Sequence, residues 1–248
     1  MPLRIISLVL LLVSSLCLSV QAYESPYAKQ APVIDGRIDQ SIWDAAQWES
    51  IDQLTLGEAP SAEDFTGRFK VIWNEDRLFL LAEIVDDILI DTHADPLEMY
   101  WEDDTLEVFL DEDKSGGKHL DNYNAFAYHI ALDNQTVDYN LKSKPRLLNE
   151  HVESVWKRSS ESGNKIIWEA AFLVYPDTFK DINNTAKPIT LSAGKTLGFM
   201  VAYCDSDGPD GRQHFIGSHE IEPVNGDRNR GYIDADVFDT LTLVNAKD

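Results

Sequence analysis

The 248-residue chain carries 43 acidic against 21 basic side chains, a formal net charge of -22, with 10% aromatic residues and two cysteines. That balance excludes nucleic acid and anionic membrane surfaces as partners, because phosphate binding needs a basic patch, and it leaves neutral ligands and divalent cations. Aromatic residues and regular apolar segments supply a core, which excludes a disordered chain.

In chain order, the first segment is MPLRIISLVLLLVSSLCLSVQA (1–22), with a basic start at Arg4, an apolar run and a small-residue exit at Ala22. It reads as a signal peptide cut before Tyr23. Its apolar run is near the short end of what spans a bilayer, which argues against an uncleaved anchor, and Leu16 is too large for the position before a lipidated Cys17. The expectation is an exported protein, periplasmic or extracellular, with no membrane contact after cleavage. Residues 23–248 read as one domain standing alone, since no Gly/Ser/Pro-rich linker divides them. Cys204 is then left without an internal disulfide partner. It follows the apolar run LGFMVAY and reads as a buried thiol, so stability rests on packing and on metal.

The DGRID turn places Asp35, Gly36 and Asp39 in structural roles, with Gly36 supplying a φ that other residues resist. A short helix is predicted over IDQSIWDAAQW (38–48), capped by Asp39. Strands dominate the rest: RFKVIW (68–73), RLFLLAEIVD (77–86), TLEVFLD (105–111), AFAYHIAL (125–132), KIIWEAAFLVY (165–175), LGFMVAYCD (197–205), QHFIGS (213–218) and TLTLV (240–244). Asn74-Glu75-Asp76 reads as a tight hairpin between the first two, and Trp43 and Trp168 read as core. The predicted fold is an all-β, antiparallel two-sheet sandwich with loops at its rims.

Within TLEVFLD, Leu106, Val108 and Leu110 fall on one face and Thr105, Glu107, Phe109 and Asp111 on the other. The first face is core, so Glu107 lies opposite, with Trp101 in the loop before it. A flat aromatic surface beside a fixed carboxylate suits a neutral sugar, whose ring stacks its C–H face while the acid accepts hydroxyl protons. The same pattern also serves a Trp that plugs the sandwich end beside a solvated Glu, and the residues alone leave both readings open.

Further on, DSDGPDG (205–211) gathers Asp205, Asp207 and Asp210 in a Gly-containing loop that offers oxygens of the kind calcium takes. It is not an EF-hand, because Pro209 stands at the fifth position and the closing Glu is missing. Asp86, Asp87, Asp103, Asp104, Asp111 and Asp113 are further candidates, each also readable as solvated surface. Catalysis is not expected. No G-x-S-x-G or H-E-x-x-H occurs, the six histidines are scattered, and carboxylate pairs carry no weight among 43 acids.

The stretches PVIDGRIDQSIWDAA (32–46), FKVIWNEDRLFLLAEIVDD (69–87) and WEDDTLEVFLDED (101–113) resemble family 9 carbohydrate-binding modules, a β-sandwich family related to DOMON-like domains. Weaker echoes in KIIWEAAF, LGFMVAYCDSD and YIDADVFDTLTLV follow in the same order. The resemblance implies a non-catalytic sugar-binding domain in which two aromatic residues clamp the terminal sugar of an oligosaccharide or polysaccharide. It carries one clamp onto Trp101, the other onto Tyr232, and the hydroxyl acceptor onto Glu107. It also implies structural calcium. Where the family's polar contacts are expected it finds Tyr128, Ile130 and Ala202, and of these Tyr128 is counted among the ligand-binding residues. Two other readings stand beside it. One is a structural or protein-partner subunit of an exported assembly. The other, less favoured, is a haem domain using Met200 and His129, which could only be b-type because no C-x-x-C-H attachment motif is present.

Overall fold

The computed structural model describes residues 22–246 except 140 and 160–162. Apart from Ala22, the expected signal peptide lies outside the described residues. In chain order the elements are β1 (Tyr23–Pro26), the single helical turn α1 (Gln40–Trp43), β2 (Glu49–Ile51), β3 (Gln53–Leu56), β4 (Phe65–Trp73), β5 (Leu78–Asp86), β6 (Thr105–Asp111) and β7 (Phe126–Ala131). There follow β8 (Thr136–Tyr139), β9 (Pro145–Leu147), β10 (Val152–Arg158), β11 (Lys165–Phe172), β12 (Thr196–Asp205), β13 (His214–Gly217) and β14 (Asp239–Val244).

These strands build a nine-stranded sheet, ordered β1-β14-β12-β6-β7-β8-β9 with β13 and β3 branching from β12, and a five-stranded sheet, ordered β10-β11-β5-β4-β2. The sandwich expected from the strand pattern is what forms. One pairing departs from it: β1 runs parallel to β14. The β4–β5 hairpin turns where expected, with Asn74 Oδ1 accepting from the amides of Asp76 and Arg77 at 3.0 and 2.9 Å. The helix is shorter than predicted. Asp39 caps it through the Ser41 amide at 3.0 Å, but the chain must turn after Trp43 to enter β2 and pair with β4.

Leu106, Val108 and Leu110 of β6 meet Phe69, Leu80, Ala82 and Trp168 of the other sheet in the main core. The outer faces are covered as well. Phe109, Ala127, Met200, Cys204 and Phe215 pack under the chain that carries Ile221, Ala235 and Phe238. On the opposite outer face, Trp43 and Ala46 lie on Ile72, Phe79, Leu81 and Ile167. Covering both faces explains why all seven residues of β6 are buried where alternation predicts every second one.

The outer cover of the five-stranded sheet hangs on one carboxylate. Glu169 Oε2 accepts from the amides of Asp35, Gly36 and Arg37 at 3.0, 3.0 and 3.4 Å, and its Oε1 accepts from Trp43 Nε1 at 3.0 Å. The DGRID turn is thus structural in the way its residues suggested. Glu169→Ala strands four donors and is expected to destabilise the fold by about 3 kcal/mol, read from the urea midpoint at unchanged m.

Candidate functional site

The first site lies on the outer face of the nine-stranded sheet, in a cavity of about 200 Å³ lined by Tyr100, Trp101, Glu107, His129, Tyr139, Arg212, Asn229 and Tyr232. Its floor is set by register. Glu107 on β6 stands opposite His129 on β7 and Ala202 on β12. His129 Nε2 lies 2.9 Å from Glu107 Oε1, and its Nδ1 lies 3.1 Å from the Ala127 carbonyl. Both ring nitrogens therefore face acceptors, which fixes the ring between the Ala127 carbonyl and the Glu107 carboxylate.

Two more groups converge on the same oxygen. The Cys204 thiol donates to Glu107 Oε1 at 2.9 Å, and Arg212 Nη1 stands 4.0 Å from it and 3.2 Å from Cys204 Sγ. The small side chains of Ala202 and Cys204 leave this ground to Arg212, whose guanidinium lies over the Phe215 ring with its carbon 4.7 Å from the centroid. Burial opposes ionisation of Glu107, but the charge and hydrogen bond of His129, then Arg212 and Cys204, hold its carboxyl below the ordinary range. Burial in turn pushes the Cys204 thiol far above its usual value, so this sulfur is a donor and not a nucleophile. Among the described residues no side chain donates to Glu107 Oε2, which leaves a fixed, charged acceptor at the cavity.

The walls are aromatic. Tyr100 is buried and meets Trp101 edge-on with centroids 5.0 Å apart, which stiffens the Trp101 ring from behind. Trp101 Nε1 donates to Glu102 Oε1 at 2.8 Å. Tyr232 sits at the rim, 36% exposed. Its segment is pinned by His119 of the β6–β7 connection, whose amide donates to the Ile233 carbonyl at 3.1 Å and whose Nε2 lies 2.8 Å from the Gly231 carbonyl. A Cβ at Gly231 would lie 2.8 Å from Phe109, so only glycine lets this segment approach closely enough to present Asn229 and Tyr232.

Trp101, Glu107 and Tyr232 are thus brought together. Tyr128 is not. It is buried between the sheets, its hydroxyl 2.9 Å from His151 Nδ1, and it pairs with Val108. Ile130 shares that face, in the main core. The expectation that both occupy polar-contact places is corrected: the residue beside Glu107 is His129, because one step along a strand exchanges the faces. Arg212 and Asn229, which the sequence reading missed, come from loops whose return to the sheet no periodicity marks.

The second site is a set of carboxylates at one end of the sandwich, where both sheets contribute. Asp86 ends β5, Asp104 precedes β6 and Asp205 ends β12. Carboxylate oxygens of these three lie within 4.8 Å of one another, and related groupings add Asp64, Asp87, Asp207 and His214. Asp86 accepts from the Tyr203 hydroxyl at 2.7 Å, and Asp104 Oδ1 from the Ser206 amide at 2.8 Å. Asp205 is 1% exposed, and neither of its carboxylate oxygens has a hydrogen-bond partner. Burial first, and then the neighbouring acids, push the carboxyls of Asp86, Asp104 and Asp205 up to about 6, about 9 and about 8. The two orphaned, buried oxygens of Asp205, with the buried carboxylates of Asp86 and Asp104 beside them, fit a hard divalent cation such as calcium. Asp205 and Asp207 belong to this set as expected from the loop. Asp210 does not: it is exposed and outside every such grouping, since the loop turns it to solvent. Asp103 is taken up in a loop clamp, accepting from the amides of Thr92 and His93.

Comparison with known proteins gives a consistent picture. The sequence profile described as "Carbohydrate family 9 binding domain-like" matches residues 34–246. Endo-1,4-beta-xylanase A of Thermotoga neapolitana is 35% identical over 81 residues, which is 33% of this chain and 7% of the xylanase. The chain therefore matches only a small fraction of that relative. A family 9 module from Caldicellulosiruptor kristjanssonii, solved with glucose, superimposes with a TM-score of 0.66 at 18% identity, covering 92% of this chain and 98% of that one. Its cellotriose complex gives the same TM-score with 96% of that chain covered. At this identity the likeness is one of fold.

Proposed function

The chain belongs to the carbohydrate family 9 binding domain-like family, and from that premise we propose that it is an exported, non-catalytic protein that holds the end of a glycan in the cavity between Trp101 and Tyr232. The observation that carries this reading is Glu107. A carboxylate held ionised by its neighbours and oriented through one oxygen by His129, Cys204 and Arg212 lines a cavity walled by aromatic rings. A sugar ring stacks its C–H face on Trp101 while adjacent hydroxyls donate to Glu107 Oε2 and accept from Arg212 and Asn229. A cavity of about 200 Å³ suits a terminal ring over a long internal segment. One carboxylate among its lining residues supports binding over hydrolysis, which uses two. The relatives solved with glucose and with cellotriose make glucose oligosaccharides the first candidates. The basic, apolar and small-residue start of the chain supports export.

In the same reading, Asp86, Asp104 and Asp205 hold a structural calcium, with Asp64, Asp87 and Asp207 at its margin. The cation neutralises acids that otherwise need protons, and it ties β5 to β6 and β12 across the two sheets.

Isothermal titration with short cello- and xylo-oligosaccharides in calcium tests the sugar reading. Binding of one or more is expected, and silence across the panel from folded protein overturns it. The corrected register adds a sharper expectation. Tyr128→Phe leaves affinity unchanged while lowering stability by about 1 kcal/mol through the lost contact to His151; an affinity loss would place Tyr128 at the ligand.

A further inference from the structure

Glu102 lies between the two sites and joins them. Its Oε1 accepts from Trp101 Nε1 at 2.8 Å and its Oε2 from the Arg212 amide at 2.9 Å. One carboxylate therefore sets the tilt of the aromatic wall and the position of the residue whose guanidinium approaches Glu107. The contact depends on a specific neighbour. Gly211 has φ +84°, and a Cβ there would lie 2.3 Å from Glu102 Oε2. A side chain at 211 would be strained at this φ and would push the Glu102 carboxylate out of its place.

The two segments that Glu102 clamps run directly into the acid cluster. Trp101 and Glu102 lead to Asp104 at the entry of β6. Arg212 closes the loop that leaves β12 at Asp205, where the Gln213 amide returns to the Asp205 carbonyl at 2.9 Å. The Ser206 amide bonds Asp104 Oδ1 at 2.8 Å, tying the segments at the cluster end. A shift of Asp104 against Asp205 is thus a shift of Trp101 against Arg212. A cation shared by the three carboxylates draws these segments together. The two orphaned oxygens of Asp205 point to such a cation independently of the cluster's charge.

We infer that a divalent cation at Asp86, Asp104 and Asp205 and a sugar at Trp101 and Glu107 bind cooperatively, with Glu102 as the positioning residue that couples them. This rests on the sugar-binding reading above. Coupling between two binding equilibria is reciprocal, so the factor by which calcium tightens sugar is the factor by which sugar tightens calcium.

Calorimetric titrations of the full chain test it. Cellotriose, or the panel sugar that binds tightest, is titrated in calcium and in chelator, and calcium is titrated with and without that sugar. Calcium is expected to raise sugar affinity about tenfold, with sugar raising calcium affinity by the same factor. In Glu102→Gln an amide NH2 faces one of the two donors, so one bond is lost. Both ligands still bind, but the factor falls toward one, and Gly211→Ala does the same from the other side of the contact. A Glu102→Gln protein that loses affinity equally with and without calcium has an intact factor, and that result overturns the coupling role. Equal sugar affinity with and without calcium in the unaltered protein overturns the cooperativity and leaves the sugar reading standing. No sugar binding at any calcium concentration overturns both.

Discussion

Calcium at about a hundred times its Kd is expected to raise the melting temperature by about 5–10 °C. A ligand bound only by the folded state at that ratio adds ~2.7 kcal/mol, and each kcal/mol moves the midpoint of a chain this long by about 2–4 °C. The effect follows from the place of the acids. They join strands of both sheets, so the cation offsets repulsion at a seam of the sandwich. The pH dependence of the chelated protein has a definite sign. The Asp104 and Asp205 carboxyls, pushed to about 9 and about 8, keep protons that the unfolded chain has already released. Their contribution is present at low pH and is lost as pH climbs toward those values. Scanning calorimetry in chelator should show a lower midpoint at about pH 8 than at about pH 5, with calcium restoring most of the difference. Asp205→Asn abolishes the calcium gain, yet stabilises the chelated protein at the higher pH because it removes one of the repelling charges. A midpoint that rises with pH in chelator, or that ignores calcium, would remove the cation from this site.

Trp101→Ala is expected to lower sugar affinity at least about thirty-fold, corresponding to ~2 kcal/mol for a central aromatic contact. Calorimetry with the tightest-binding oligosaccharide reads the loss, and thermal melts should show little change, since Trp101 is half-buried in a loop. Tyr232→Ala should have the smaller effect, because that ring stands at the rim with 36% of its surface exposed. Glu107→Gln is the less clean probe. It weakens binding and also leaves His129 without its carboxylate, so affinity and stability fall together. Affinity untouched by Trp101→Ala would move the ligand elsewhere and reopen the protein-partner reading of this face.

Much of the architecture was legible without coordinates. Runs such as FKVIW, LFLLAEIVD and LGFMVAYCD are bounded by turn residues and too apolar and β-branched to be anything but buried strands, and Asn74 announces its hairpin through its own side chain. Strands with polar or short sequences, β2, β3 and β8 to β10, left no such trace, because pairing with neighbouring strands toward the sheet margins and not composition makes them strands. Parity was the harder matter. In β7 the residues from Phe126 to Ile130 are all buried, since a second layer covers the outer face, and continuous burial erases the alternation that tells one face from the other. The resemblance placed Tyr128 at the ligand, and with every one of these positions buried no alternation in the strand was there to point to His129 in its stead.

By itself the sequence determined the fold class, the aromatic and acidic residues at the mouth of β6, and an acid-rich loop after β12. Those are local facts, set by residue type and spacing along one segment. Tertiary structure alone decided which groups meet: His129 across from Glu107, Arg212 and Asn229 brought in by loops, Asp86 and Asp104 gathered with Asp205 while Asp210 is left in solvent. The reason is geometric. These contacts join segments tens to more than a hundred residues apart, and they depend on strand register and on where two glycines, Gly211 and Gly231, let the chain come close.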